Sequence, residues 1–269
     1  MQLENKTLYY IYDPMCSWCY AYEESITQLQ EQLPSELKFK AILGGLAEDC
    51  TTPMPADTQA MIQQAWRQIQ TTVPSIQFNF DFWTKNTPYR STYPACRAIL
   101  AAKNQSSDFS VPMRKAIQET YYQQAKNPSL DSILIECAAQ IDLDMTQFKQ
   151  DFFSPETNEK LTEQRHFARR LGVRSYPSLS LAVNHEPYAL PIDYNTIDIT
   201  LEQIHTLLAT QSIDSPCVRN CCLNTDDMCL GCFRSLDEIT HWAFTNNTEK
   251  QSILEHAKQR KIEHNKTLI

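Results

Sequence analysis

TLYYIYDPMCSWCYAYEESITQLQEQLP, residues 7–34, changes its period in the middle, and that change points to the fold. Thr7 to Tyr12 is β-branched or aromatic at nearly every position, the composition of a buried strand. After Asp13-Pro14-Met15 the apolar residues Trp18, Tyr22, Ile26, Leu29 and Leu33 recur at helical spacing, one face of a helix that Pro34 ends. Cys16 therefore falls in the first helical turn, where unpaired N–H groups and the helix dipole favour an anion. Thiols in such places titrate between roughly 3.5 and 7.5, against about 8.5 for a free cysteine. Cys19, one turn on, is placed to close a disulfide with Cys16. A C-x-x-C beside a βα unit signals a redox pair. The competing readings are half of a zinc site or two small buried residues. The strand-to-helix setting speaks against both, and a second cysteine set later in the chain is self-sufficient.

Composition narrows the function classes. The chain has 269 residues, 42% of them hydrophobic and 10% aromatic, enough for a real core and for one large domain plus a module or insertion. Its 24 Lys and Arg stand against 32 Asp and Glu, a net charge of −8. That excludes a general nucleic-acid binder and disfavours an anionic membrane surface. No apolar run approaches a bilayer span, and MQLENKTLYYIY lacks the basic and apolar regions of a secretory signal. The expected compartment is the cytoplasm, where ten cysteines are catalytic, metal-bound or buried before they are a disulfide framework. With four glycines and no GxGxxG or Walker motif, nucleotide binding has no support.

Further along, Leu37 to Leu43 reads as a second strand stopped by Gly44-Gly45. Six helices follow: one capped by Asp57, one with Pro94 just inside it, one after Ser110, two capped by Ser129 and Asp144, and one opened by Ser154-Pro155 and closed by Gly172. Strands return at Ser178–Val183 and Pro187–Leu190 around an Asn184-His185-Glu186 turn, and Ile197, Leu201, Ile204 and Leu208 mark a closing helix. The order βαβ, helices, ββα predicts an α/β, thioredoxin-like fold with an inserted helical domain. Residues 1–50 and 173–211 make the thioredoxin-like domain, 51–172 the insertion and 212–269 a cysteine-rich C-terminal module. Such a plan demands a cis-proline at the strand after the crossover, and Pro177 occupies that place. A cis bond there exposes the Tyr176 backbone to an extended peptide; the alternative is an ordinary proline at a strand start.

YDPMCSWCYA, VRSYPSL and the helical segment between them resemble the DsbA-like thiol-disulfide oxidoreductases, in particular their FrnE-type cytosolic branch. Arg90 to Leu100, RSTYPACRAIL, resembles a segment of that branch too. The resemblance spans about residues 7–211. It implies a nucleophile at Cys16, a resolving cysteine at Cys19 and a cis-proline at Pro177, with protein or peptide thiols and disulfides as substrates. Kappa-class glutathione transferases and hydroxychromene-carboxylate isomerases share the architecture but carry serine where Cys16 stands. Disulfide exchange or isomerisation is therefore the expected chemistry. A redox-regulated zinc-binding chaperone or adaptor is the alternative, and a glutathione-dependent isomerase or transferase a third reading, with glutathione a candidate partner.

Around the pair, Trp18 and Tyr176 are the candidate substrate-binding residues. Asp13 is placed either to relay a proton to Cys19 or simply to form a turn with Pro14. Arg90, Ser91 and Thr92 line the cleft or are solvated loop groups. Cys50, Cys96 and Cys137 read as core. Beyond the SIDSP linker, Cys217, Cys221, Cys229 and Cys232 follow as C-x3-C-x7-C-x2-C, and Ser235 to Glu238 is a capping box opening a helix. So small a module needs a staple, and four thiolates suit tetrahedral zinc. An iron–sulfur cluster and free redox thiols are the alternatives, and Cys222 competes with Cys221 as the second ligand. This tail also resembles a small family of unknown function, through SPCVRNC and CLGCFRSLDEITHW.

Overall fold

β1 (Thr7–Tyr12) is buried at all six positions because it is paired on both edges and covered on both faces. It pairs in parallel with β2 (Lys38–Leu43), Thr7 opposite Lys38 and Tyr12 opposite Leu43. On its other edge it pairs antiparallel with β3 (Ser178–Val183), which in turn pairs antiparallel with β4 (Glu186–Leu190). The sheet order is β2-β1-β3-β4. The turn between β3 and β4 needs only Asn184 and His185, both at positive φ, the two-residue hairpin whose twist matches its strands. This computed structural model describes residues 1–209, 214–219, 222–245 and 247–267. They show the α/β, thioredoxin-like arrangement that the order of elements predicts.

The residues after β1 form two helices, α1 (Ser17–Ala21) and α2 (Glu23–Glu31), not one. Tyr22 stands at the corner with its backbone still near the α region, so the apolar spacing carries across the break. Between β2 and β3 come α3 (Ala56–Thr72), α4 (Phe82–Lys85), α5 (Tyr93–Gln105), α6 (Ser110–Tyr122), α7 (Asp131–Ala139), α8 (Met145–Phe152) and α9 (Pro155–Arg170). That is one helix more than the periodicity suggests; α4 spans a single turn, too short to leave a pattern. Asp144 and Ser154 cap α8 and α9 with their side chains, as expected. Ser129 does not cap α7. Asn127 holds the Ser129 N–H, and the Ser129 hydroxyl donates instead to the carbonyl of Ser91.

These helices share one compact unit with the sheet, Met1–Ile204, which ends within α10 (Asp198–Ala209). Phe167 and Ala168 of α9 pack on Tyr9 and Ile11 of β1, Ile42 of β2 and Ala182 of β3. On the other face Tyr10 stacks near Tyr12 and Phe39 and against Tyr22. An ion pair, buried at Arg114 and partly exposed at Glu23, ties α6 to the start of α2 at 2.8 Å, with Gln118 donating to the same carboxylate. The second unit, His205–Ile269, carries α11 (Leu236–Thr240), capped by the Ser235–Glu238 box, and α12 (Asn247–Thr267). Arg260 of α12 grips the Glu238 carboxylate at 2.7 Å, and the buried Arg234 lies 4.5 Å over the Trp242 ring. No helix among the described residues is long and apolar enough to cross a membrane.

Removing one partner of a buried pair strands the other charge. Arg114→Ala is therefore expected to cost about 3 kcal/mol of stability in denaturant unfolding, and Arg114→Met with Glu23→Leu less than that single change.

Candidate functional site

Cys16 is the N-cap of α1, its backbone extended and its carbonyl already accepting the Tyr20 N–H at 3.0 Å. Its thiol donates to the Tyr176 carbonyl at 3.5 Å, across 160 residues of sequence. Tyr176-Pro177 is a cis peptide bond, as the strand order demands. Cys19 lies one turn below, in hydrogen-bonding contact with Cys16. Cys16 keeps 8% of its surface and Cys19 none. Burial, and then the contact with Cys16, push the Cys19 thiol well above its ordinary value. Cys16 keeps a small exposed area, whereas Cys19 is wholly buried and held as a thiol, an asymmetry that suits sequential exchange.

Tyr176 is fixed from behind. Its hydroxyl donates to the Gly44 carbonyl at 2.9 Å, and a Cβ on Gly44 would fall inside the edge of its ring. Gly44 in turn donates its N–H to the Tyr12 carbonyl at 2.7 Å, just past β1 and β2. Gly45 then turns the chain at φ +65, a conformation that favours glycine. The pair that ends β2 thus makes the space in which the Tyr176 ring lies. Burial raises the Tyr176 hydroxyl to about 12, so it stays a donor at neutral pH.

Trp18 is half-buried and packs on Tyr194, ring centroids 4.9 Å apart, while Tyr22 meets the same ring edge-on at 5.6 Å. Tyr194 lies in the loop after β4 and faces both thiols, yet no local pattern marks it. Tyr10 and Tyr122, both fully buried, lie near enough to Cys19 to feel its charge. Cys19 is wholly removed from water, whereas Cys16 keeps a small exposed area.

Asp13 is fully buried. Its Oδ1 accepts the Met15 N–H at 2.8 Å; its Oδ2 accepts Thr92 Oγ1–H and Leu46 N–H, both at 2.6 Å, and the Cys96 thiol at 3.7 Å. Its own N–H is given to Cys19. Burial raises the Asp13 carboxyl above its ordinary value, against the opposing hydrogen bonds from Thr92, Leu46 and Met15. Thr92 and Ser91 are buried at the start of α5 and do not line a cleft; Arg90 is exposed. Cys96 and Cys137 are core, whereas Cys50 is only half-buried, its thiol on the Thr52 carbonyl.

In the tail, the Cys229 sulfur accepts N–H groups from Cys232, Gly231 and Cys222 and meets the Cys232 thiol. Cys217 is exposed, with its sulfur accepting the Arg219 N–H at 3.4 Å. Cys221 lies outside the described residues. Among the described residues no group of three or more His, Cys, Asp or Glu side chains is gathered for a metal ion. The structure thus brings Cys229 and Cys232 together but does not bring Cys217 to them.

A C-x-x-C at the start of the helix after β1, facing a cis-proline loop, defines a thioredoxin-fold dithiol protein. Residues 9–192 match the family described as Thioredoxin, and the chain belongs to that family. Residues 215–261 match a separate family described as a protein of unknown function, DUF1289. Among solved structures, a putative protein disulfide isomerase from Nitrosomonas europaea aligns with TM-score 0.67 and 24% identity, over 76% of this chain and 98% of that one. The cytosolic disulfide reductase DsbM from Pseudomonas aeruginosa, solved with GSH, aligns with TM-score 0.60 and 22% identity, over 75% and 99%. These likenesses are of fold. A curated relative, the ClpXP adapter protein SpxH of Halalkalibacterium halodurans, is 28% identical over 151 residues, 55% of this chain and 49% of that protein. The chain therefore spans about half the length of that relative.

Gly44→Ala tests how the site is built. Overpacking costs typically 1–3 kcal/mol, and here the strain falls on Tyr176. Exchange activity is expected to drop by roughly tenfold or more, with the Cys16–Cys19 pair still able to form its disulfide under a glutathione buffer.

Proposed function

We propose that this protein is a cytoplasmic thiol-disulfide oxidoreductase or isomerase acting on protein or peptide substrates through Cys16 and Cys19. The observation that carries the reading is the Cys16 thiol, within 3.5 Å of the Tyr176 carbonyl and in contact with Cys19, where Cys16 keeps a small exposed area and Cys19 has none. Cys16, as thiolate, attacks one sulfur of a substrate disulfide; that bond breaks, and the released thiolate takes up a proton. Cys19, having given up its proton, then attacks the Cys16 sulfur, breaks the mixed disulfide and releases the second substrate thiol. Two electrons pass from the pair to the substrate, and the reverse sequence oxidises a dithiol. The Tyr176 backbone, whose carbonyl meets the Cys16 sulfur, and Trp18, two residues after Cys16, are the proposed substrate contacts, beside Pro177. The solved DsbM structure with GSH supports glutathione as a small thiol partner.

A second reading is a binding role without turnover, supported by the relative named as a ClpXP adapter. The same groove would then hold a partner segment. Reduction of a protein disulfide substrate separates the two. Turnover is expected to fall to the uncatalysed rate in Cys16→Ser, and Cys19→Ser is expected to accumulate a substrate-linked mixed disulfide. Turnover that survives Cys16→Ser, or no turnover in the native chain, would favour the adapter. The reduction potential of the pair then gives the direction of electron flow: about −270 mV marks a reductase and about −120 mV an oxidant.

For the tail we propose no reaction. Zinc there is an expectation of the C-x3-C-x7-C-x2-C spacing. Metal analysis of the purified full chain decides it. A stoichiometric zinc content lost in Cys229→Ser is the expected result; iron or no metal with freely titrating thiols overturns it.

A further inference from the structure

We propose that Asp13 is a positioning residue whose carboxylate clamps the turn carrying Cys16 to α5 and the 44–47 loop, and that Thr92 is the partner that makes the clamp. The inference rests on the dithiol reading above and adds two residues to it. Four donors converge on this one buried carboxyl group: the Met15 N–H on Oδ1, and the Thr92 hydroxyl, Leu46 N–H and Cys96 thiol on Oδ2. An ionised carboxylate is an acceptor only, and all four groups turned onto Asp13 are donors, three of them on Oδ2. The three short bonds come from three separate stretches of chain: the turn after β1, the loop after β2, and the start of α5. The Thr92 hydroxyl is locked in turn, since it also accepts the Ala47 N–H at 3.0 Å while the Thr92 N–H goes to the Ala47 carbonyl. Asp13 closes the turn from its own side, its carbonyl accepting the Cys16 N–H at 3.1 Å.

This geometry argues against Asp13 as the base that takes the Cys19 proton. Three donors crowd Oδ2 and the Met15 N–H holds Oδ1, and the group that reaches Cys19 is the Asp13 N–H, not the carboxylate. What the carboxylate does supply is a fixed negative charge beside the resolving thiol. A like charge at close range disfavours a second one, so the clamp also helps keep Cys19 protonated until Cys16 is in a mixed disulfide. The other titratable groups facing Cys19 are Cys16, Tyr10, Tyr122 and Tyr194; those facing Asp13 are Cys96, Tyr121, Tyr122 and Tyr176. Burial raises all the tyrosines of both groups, so none of them charges in the neutral range.

The test titrates Cys19 by thiolate absorbance in the full-length chain carrying Cys16→Ser, with and without Asp13→Asn, Thr92→Val or Thr92→Ser. In parallel, the rate at which Cys19 resolves a mixed disulfide on Cys16 is followed in the same Asp13 and Thr92 variants with both cysteines present. The expected result is a Cys19 midpoint lower by about one pH unit in Asp13→Asn, a smaller fall in Thr92→Val, and restoration in Thr92→Ser, with resolution not slowed in Asp13→Asn. A resolution rate at least about tenfold slower in Asp13→Asn with its midpoint unchanged makes the carboxylate a proton acceptor and overturns the clamp. An unmoved midpoint in all three variants, each folded by its unfolding curve, leaves Asp13 a core residue and overturns it as well. If Asp13→Asn fails to fold, the Thr92 pair carries the same comparison. Should the native chain form no Cys16–Cys19 disulfide in a graded glutathione buffer, it is the dithiol reading that fails, separately from the clamp.

Discussion

Everything at the site hangs from one strand that has no free edge and no free face. β1 gives Tyr9 and Ile11 to the core under α9 and Leu8, Tyr10 and Tyr12 to the opposite layer, with β2 and β3 hydrogen-bonded on either side. A strand so confined cannot shift register without turning both of its apolar faces around at once. Its end is therefore a fixed point, and three things are placed from it. Asp13 and the Cys16 turn follow β1 directly. Gly44 accepts its position from the Tyr12 carbonyl. Tyr176, entering β3 beside Ile11, reaches back to Gly44. The dithiol and the loop that faces it are thus referred to the same few atoms, although 160 residues separate Cys16 from Tyr176.

Confinement also sets the chemistry. Removing water from a thiol disfavours its charged form, and complete burial near Tyr10, Tyr122 and Tyr194 does this to Cys19 while Cys16 keeps a small exposed area. The asymmetry between the two cysteines comes from this surrounding shell, and the C-x-x-C spacing would be the same without it.

What could be read from the sequence was what is local. The strand, the helix start and the two cysteines are neighbours in the chain, and so are the caps Asp144, Ser154 and Ser235, where a side chain bonds a backbone N–H two or three residues on. Pro177 was legible through the order of elements. The corner at Tyr22 was not, because Ile26 and Leu29 keep the phase of the preceding turn after the axis changes. Thr92 and Ser91 passed for loop polar groups since nothing local says that they are buried; their partners, Asp13, Ala47 and Cys50, lie about forty to eighty residues away. Tyr194 and Gly44 escaped for the same reason. An aromatic in a loop and a glycine at a strand end are ordinary until the segment that meets them is in place.

The tail marks the limit of reading by spacing. A ligand pattern states which residues could share an ion, but sharing needs their sulfurs at one point, and that depends on the backbone between them. Between Cys229 and Cys232 the chain turns tightly enough to aim N–H groups at a sulfur, with Phe233 at φ 57 completing the turn. N–H groups so aimed stabilise negative sulfur whether its partner is a metal or a second thiol. The turn therefore favours a thiolate without choosing its use. In the first unit long-range structure adds to the local turn: the Tyr176 carbonyl meets Cys16 and Tyr194 lies near both thiols, whereas among the described residues no third metal-ligating side chain joins Cys229 and Cys232. Function is better specified where distant segments close around the thiols, which is why the dithiol can be argued to a mechanism and the tail only to a measurement.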